Sequence, residues 1–410
     1  MNTLGERIRN LRKQNGLTLQ ALAGEGLSKG MLSLIENGKA KPSMESLAYI
    51  AGKLGVEINE LLEEIPSAQL RDVLSEAEKL HSTRMEDAET VKERAAETIR
   101  LITPYLESLP VRYESARLLE LYSRAAYYSG KSEWPETLRK AESMYGTLHL
   151  ENQVADVQLF RVMSVFHKRE YKEALTMIES ARSSLEQRNA VLDPLKKLDF
   201  AYFESILQFA VGDFRHAVEK MNEAIAFSKE RRIFYRIEDL YRLAAMDAIL
   251  RGSKEEKDFY LTKLRQYAIF SDHRETAEMT DIIEIHYLNS FARDYAHADQ
   301  MIDRCLADAG ELDISFLALE KGKAQFGLGH LDEALKWFHQ HEIYEHLHHP
   351  FDLGIHYEKD AYLALIHLQK NDRHAALAHA EKARQLMAPL PDSPYKQFAE
   401  EVYEKVRRSA

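Results

Sequence analysis

The sequence predicts an all-α protein: a bundle of five short N-terminal helices followed by a right-handed superhelix of stacked helix pairs. Three observations carry this expectation. Glycine and proline, which punctuate strands and turns, number only 17 and 10 among 410 residues. Apolar residues return at helical spacing from Leu4 onward. A pattern of turn, aromatic residue and alanine recurs at intervals of 36 to 43 residues after position 137. A composition of 45% hydrophobic and 30% charged residues also favours long helices over a β-rich or disordered chain.

Met1 to Lys13 is already charged and helix-patterned, and no apolar run approaches the roughly 18 residues that span a bilayer. A cytoplasmic protein without a membrane partner is expected. Cys305 is the single cysteine, which excludes an intramolecular disulfide and a cysteine-rich zinc site. The net charge of −11 is unevenly spread. Residues 1–55 carry eight Lys/Arg against four Glu, a balance of +4, and the remainder holds 47 basic and 62 acidic residues. A basic head on an acidic body binds phosphate locally while the body repels it.

Within the head, Leu4, Ile8 and Leu11 share one face of a first helix. Thr18 is placed to cap a second helix that carries Leu19, Leu22 and Ala23. Ser28 opens a third, which runs through Met31, Leu32 and Ile35 to the stop signal Asn37-Gly38. Ser43 caps a fourth with Leu47, Ile50, Ala51 and Leu54, and Ile58, Leu61 and Leu62 suit a fifth. Two short helices joined by a tight turn inside such a bundle follow the helix-turn-helix plan.

Gly16-Leu17-Thr18, Leu22-Ala23, Ser33-Leu34-Ile35-Glu36-Asn37-Gly38-Lys39 and Pro42-Ser43 resemble, in order and spacing, the phage-repressor helix-turn-helix of the Xre or Cro/C1 type. That resemblance implies that the third helix enters the major groove of an operator. Lys29, Gly30, Ser33 and Leu34 then face base edges, with Ser28 beside them, and Thr18, Asn37, Lys39 and Lys41 face the sugar-phosphate backbone. Lys29 is suited to donate to guanine O6 or N7. Leu34 and Leu19 replace polar residues usual in the family, so readout at position 34 is apolar or absent. Arg12 and Glu36 match a family ion pair that ties the first helix to the third.

The body carries the repeat. Arg169-Glu170-Tyr171-Lys172-Glu173-Ala174, Gly212-Asp213-Phe214-Arg215-His216-Ala217 and Gly329-His330-Leu331-Asp332-Glu333-Ala334 correspond, as do the stretches ending at Ala298 and Ala376. These resemble tetratricopeptide repeats. Aligning the small positions Thr137, Ala174, Ala217, Lys257, Ala298, Ala334 and Ala376 gives spacings of 37, 43, 40, 41, 36 and 42. They exceed the usual 34 or so, so the helices or loops are longer than the consensus and the units at Thr137 and Lys257 are degenerate. The domain reading is a head over 1–64, a linker helix over 65–85 and a repeat domain over 86–410. A repressor-type head followed at once by such repeats resembles the quorum-sensing regulators of Gram-positive bacteria typified by PlcR, NprR and Rgg. The resemblance implies a homodimer that binds double-stranded DNA and a short signalling peptide held in the concave groove. The expected dimer contacts lie in the body, residues 66–82 and a last-helix stripe of Phe398, Val402 and Tyr403.

Inner-helix positions lie 18 residues before the small positions of three consecutive units, at Asp156, Asp199 and Asp239. They predict an acidic strip for a peptide amine or basic side chains, with Tyr202, Arg242, Tyr287 and Asn289 on the same helices and Asn289 suited to peptide backbone. Ten of the 17 histidines fall between His330 and His379, among them His339, His341, His346, His348 and His349. Their spacing does not place ligands on one helical face, so the cluster reads as a polar loop and surface, not a metal site. No phosphate-binding glycine loop, nucleophile elbow or cofactor motif is present, and an enzyme is not expected. Two other functions fit the same architecture. One is a repeat protein that sequesters or dephosphorylates a signalling partner, as the related Rap proteins do, and the other is a phage-type regulator with a non-peptide signal. The intact helix-turn-helix favours the peptide-gated regulator.

Overall fold

The computed structural model describes residues 3–62, 65–81, 88–307, 314–344 and 347–409, and every regular element among them is helical. The chain divides into two compact units, Met1–Val157 and Gln158–Ala410.

The first unit begins with α1 (Leu4–Gln14), α2 (Leu19–Ala23), α3 (Lys29–Glu36), α4 (Met44–Leu54) and α5 (Ile58–Leu62). The expected caps form: Thr18 accepts from the amide of Ala21, Ser28 from Met31 and Ser43 from Ser46. Each supplies a partner for an amide that the first helical turn leaves unbonded. Thr3 adds a capping box with Glu6. Ile8, Leu22, Leu32, Ile35, Ile50 and Leu61 close the core of this bundle. Gly5 is required there, because a Cβ on it would stand 2.2 Å from the Ile35 carbonyl oxygen. Its bareness lets α1 lie directly on the end of α3.

The unit continues with α6 (Ser67–Leu80), α7 (Ala88–Ile102), α8 (Tyr113–Tyr128), α9 (Trp134–Thr147) and α10 (Glu151–Phe166), the last running past its end. Of the linker helix expected over 65–85, α6 occupies the described part, and residues 82–85 lie outside the described residues. It packs on α7 and α8, burying Leu70, Val73 and Ala77 among Ala95, Ile99, Leu118 and Leu121. The buried Glu120 ties α8 to α9: it accepts from the Tyr145 hydroxyl at 2.9 Å and pairs with Arg117 and Arg124 of its own helix.

The second unit comprises α11 (Tyr171–Gln187), α12 (Pro194–Val211), α13 (Phe214–Arg231), α14 (Ile237–Leu250), α15 (Lys254–Ser271), α16 (Arg274–Tyr287), α17 (Tyr295–Ala307), α18 (Ile314–Gly327), α19 (Leu331–Gln340), α20 (Pro350–Gln369), α21 (Arg373–Met387) and α22 (Pro394–Ser409). Successive helices pack on one another, and the short turns make each pair antiparallel. The repeat register read from the sequence falls on one structural position. Thr137, Ala174, Ala217, Lys257, Ala298, Ala334 and Ala376 are each the fourth residue of the second helix of a pair. All five alanines are fully buried, where a larger side chain would hold the paired helices apart. Lys257 also has little exposure, and its ammonium lies 4.0 Å from the centroid of the Tyr287 ring and 2.7 Å from the Asp258 carboxylate. A cation thus takes an alanine position by resting on an aromatic face. Helices of 18 residues at α12, α13 and α15, and of 20 at α20, account for the long repeat period.

The last helix spends its stripe inside the unit. Val402 is buried, Phe398 packs on Tyr362 with ring centroids 5.1 Å apart, and Tyr403 lies beneath Arg384. It covers the end of the array, as a terminal repeat must. No helix among the described residues is long and apolar enough to cross a membrane.

Candidate functional site

In the second unit, the residues expected to line a groove do sit on the first helices of their pairs, but their chemistry differs from the expected strip. Asp199 is buried, accepting from Tyr235 Oη at 2.8 Å and Arg236 Nε at 2.9 Å, with Lys196 also within ion-pair reach. Asp239 pairs with Arg236 at 3.1 Å and with Arg242. Arg236 therefore bridges the two acids, and its guanidinium also lies 5.1 Å from the Tyr202 ring centroid. The expected negative strip is corrected to an ionic lattice in which both acids are neutralised, because three cations converge on two carboxylates. Asp156 lies in the first unit, half-buried on α10.

Asn289 and Tyr287 are corrected as well. A π-helical turn, Leu288–Ala292, follows α16 and turns Asn289 into the core, where its amide donates to the Glu320 backbone and carboxylate oxygens, both at 2.8 Å. Its amide is therefore spent inside the protein. One face of Tyr287 is covered by Lys257 and it stacks on Phe291. Around Asn289 lies an ionic network that no sequence pattern announced. Glu320 meets His286 Nδ1 at 2.9 Å and Lys323 Nζ at 2.9 Å, and Lys323 reaches Glu358 at 2.6 Å. His286 Nε2 meets the Tyr395 hydroxyl at 2.9 Å, which joins α16, α18, α20 and α22. Burial opposes the charge on Glu320, but Lys323 and His286 outweigh it and hold its carboxyl well below the usual range.

An extended stretch ahead of α20 is fastened to helices far away in the chain. The Tyr171 hydroxyl donates to the His348 carbonyl at 2.6 Å, and Arg169 donates to the Leu347 carbonyl and the Tyr357 hydroxyl, each at 3.4 Å. His348 stacks on His167 with centroids 4.5 Å apart. His349 caps α20: its Nδ1 accepts from the Phe351 amide, so its Nε2 carries the proton directed at the Ile206 carbonyl, 3.3 Å away. Phe351 is buried against Phe209 and Phe214. Asp352 remains reachable by solvent yet is enclosed by enough protein that desolvation raises its carboxyl, with His349 and Arg242 opposing the rise. It also acts electrostatically on Tyr202, whose hydroxyl burial pushes well above its ordinary value. Residues 347–352 thus form a clasp fastened to Arg169, Tyr171 and Ile206, and Asp352 at its end acts electrostatically with Tyr202 and Arg242.

The structure divides the histidine cluster expected to form a polar loop and surface: His330, His339 and His374 are exposed, while others are packed. His341 is buried with its Nε2 2.7 Å from Nδ1 of His356, and burial, with His356 beside it, holds its pKa down to about 3. His348 and His349 are packed as described above, and His346 lies outside the described residues. Among the described residues no group of three or more His, Cys, Asp or Glu is placed to hold a metal ion.

In the head, α3 presents Lys29, Gly30 and Leu34 to solvent, with Ser33 half-exposed, and buries Leu32, Ile35 and Glu36 on its other side. Glu36 is held by a bidentate contact from Arg12, Nε to Oε1 at 2.6 Å and Nη2 to Oε2 at 2.9 Å, with Arg9 at 3.4 Å. This ties α1 to α3 and fixes the outward face. Thr18, Ser28, Lys39 and Lys41 are exposed around it. Asn37 is also exposed, but its side chain donates to the Ser33 carbonyl at 2.7 Å and accepts from Arg9, so it shapes the helix end first. Residues 5–65 match the family described as a helix-turn-helix domain.

Residues 5–65 are a helix-turn-helix domain.

Two curated proteins match part of the chain. The HTH-type transcriptional regulator DdrOP3 of Deinococcus deserti is 41% identical over 61 residues, 15% of this chain and 47% of that protein. The immunity repressor protein of Bacillus phage phi105 is 33% identical over 88 residues, 21% of this chain and 61% of that protein. The chain thus spans about half to three fifths of the length of the curated relatives it matches. Matches to solved structures extend over more of the chain. PlcR of Bacillus thuringiensis, solved with the peptide PapR7 and DNA, is 19% identical over 66% of this chain and 99% of that one, with a TM-score of 0.32. ComR of Streptococcus vestibularis, solved with its cognate signalling peptide XIP, is 20% identical over 68% and 96%, with a TM-score of 0.38. A tetratricopeptide repeat protein from Parabacteroides merdae is 10% identical over 76% and 98%, with a TM-score of 0.41.

Every residue proposed from the sequence for the outer face of the helix-turn-helix domain occupies an exposed or half-exposed position. Arg9 as a second partner of Glu36, and Gly5 as the point where α1 meets α3, went unforeseen. The signal for Gly5 was present: a glycine one residue into a helix with a strong N-cap needs a packing reason.

Proposed function

We propose that this chain is a cytoplasmic, homodimeric transcription regulator whose helix-turn-helix domain binds an operator and whose repeat array senses a short peptide. It has no catalytic role. The single observation that carries the reading is the outer face of α3: a helix N-terminus with an exposed lysine, a bare glycine and no acidic side chain, set within residues 1–55, which carry a charge of +4. Such a face complements the major groove and its phosphates, whereas the acidic body does not. Repressor-type domains read two half-sites through a two-fold dimer, and the homodimer follows from that requirement. Full-length protein presented with a randomised duplex pool is expected to enrich a two-fold symmetric sequence with half-sites about one helical turn, roughly 10 base pairs, apart. A pool that never converges overturns the reading.

The sensing part of the proposal rests on the clasp, residues 347–352, and on the polar side chains of Tyr202 and Arg242 near Asp352. The clasp shows how this surface holds extended backbone: Tyr171 and Arg169 donate to successive carbonyls, as peptide grooves do. A peptide reaches Tyr202 and Arg242 once the clasp lifts. The intrinsic affinity is then reduced by the fraction of molecules that are open. A heptapeptide selected from a random library on the full-length protein supplies the probe. Phe351→Ala and the milder Tyr171→Phe, which removes only the hydroxyl held by His348, are expected to tighten its binding by about tenfold and threefold. Calorimetric affinities unchanged in both variants would show that the clasp does not gate peptide binding.

A further inference from the structure

The recognition helix carries an apolar feature that phosphate binding leaves unused. Leu34 is 44% exposed and Met31 43% exposed. They stand one helical turn apart and so lie side by side on α3. Gly30, one turn before Leu34, adds no side chain, and a Cβ there would meet only Ser28 Oγ, at 3.9 Å. The helix surface beside Leu34 is therefore bare enough for close approach. Exposed Lys29, Lys39 and Lys41 flank it, and none has an acidic partner among the described residues. An apolar pair framed by cations complements a polyanion that offers a methyl group at one point. In the major groove the group of that description is the C5 methyl of thymine, which adenine, guanine and cytosine lack.

We infer that Leu34 and Met31 read thymine methyl groups, so that this chain selects an operator by T at one or two positions of each half-site. The inference rests on the DNA-binding reading above and adds the identity of the base. Gly30 lets α3 sit deep enough for Leu34 to reach the methyl, and Lys29 contacts a neighbouring base or phosphate independently.

The experiment uses full-length protein and the duplex it enriches from a randomised pool. Each thymine is replaced singly by deoxyuridine, which removes the methyl group and keeps the base pair. At one or two positions per half-site the affinity is expected to fall about fourfold, the worth of one desolvated methyl group. Leu34→Ala is expected to bind the parent duplex about fourfold more weakly and to lose the deoxyuridine effect, while Lys29→Ala binds more weakly and keeps it. Indifference of the parent protein to deoxyuridine at every position, with convergent selection intact, overturns the methyl readout and leaves DNA binding standing. A Leu34→Ala protein that keeps the full deoxyuridine effect also overturns it. So does one that light scattering shows to be monomeric where the parent is dimeric, because Leu34 would then serve the protein interface. Failure to select any duplex overturns the DNA-binding reading itself.

Discussion

Replacing Lys323 with Met is expected to lower the stability of the second unit by about 4 kcal/mol at pH 7, because it strands two buried carboxylates. Lys323 is fully buried between Glu320 and Glu358, and burial, which disfavours its charge, is outweighed by these two partners. For a unit of this size the loss corresponds to a fall in Tm of roughly 8–16 °C. The pH dependence fixes the cause. In the parent protein the Glu320 carboxyl is depressed, so its stabilising contribution is present at neutral pH and is lost only as pH falls below the ordinary carboxylate range. In the variant the stranded acids take up protons more readily folded than unfolded, so the variant recovers stability as pH falls. The gap between the two proteins should therefore narrow from pH 7 to pH 5 in scanning calorimetry. A gap under about 2 °C at pH 7, or one that widens on acidification, would show that the network does not depend on this ammonium. Adding Glu320→Gln to Lys323→Met should restore part of the loss, since it removes one of the stranded charges.

The second large effect belongs to the head. Changing Lys29, Lys39 and Lys41 together to Ala is expected to weaken operator binding by two to three orders of magnitude near physiological salt. It should also flatten the slope of log affinity against log salt by about 1.8, or about 0.9 for each of the two phosphates left without Lys39 or Lys41. All three side chains are exposed, so the variant should fold normally and keep its Tm. Titration of the selected duplex at three salt concentrations separates this from a folding defect. A parallel shift with unchanged slope would assign these lysines to bases instead of phosphates, and an unchanged affinity would remove them from the interface.

Much of this protein was legible in its sequence because the signals were local. The caps Thr18, Ser28 and Ser43 act on amides three residues away, and apolar spacing marks which face of each head helix is buried. The repeat register is local in the same sense: a small residue at the fourth position of a second helix answers to its own turn and its own partner helix. That is why even the degenerate Thr137 and Lys257 fell into phase.

The chemistry of the inner helices was decided elsewhere. A count back along the chain put Asp199 and Asp239 on inner helices, but whether they are free depended on Arg236, whose left-handed backbone at φ 62° aims one guanidinium at both carboxylates. Asn289 was turned inward by a π-helical turn, and the network around Glu320 drew His286, Glu358 and Tyr395 from three other helices. The clasp joins residues 177 and 178 apart in sequence, Tyr171 to His348 and Arg169 to Leu347. The sequence by itself determined the helices, their pairing and the outward face of α3, because hydrogen-bonded turns and helical periodicity act within a few residues. Only the tertiary structure decided which charges are satisfied and which surface the chain covers with itself. Ion pairing and burial depend on groups brought together across the fold, and no local pattern records them.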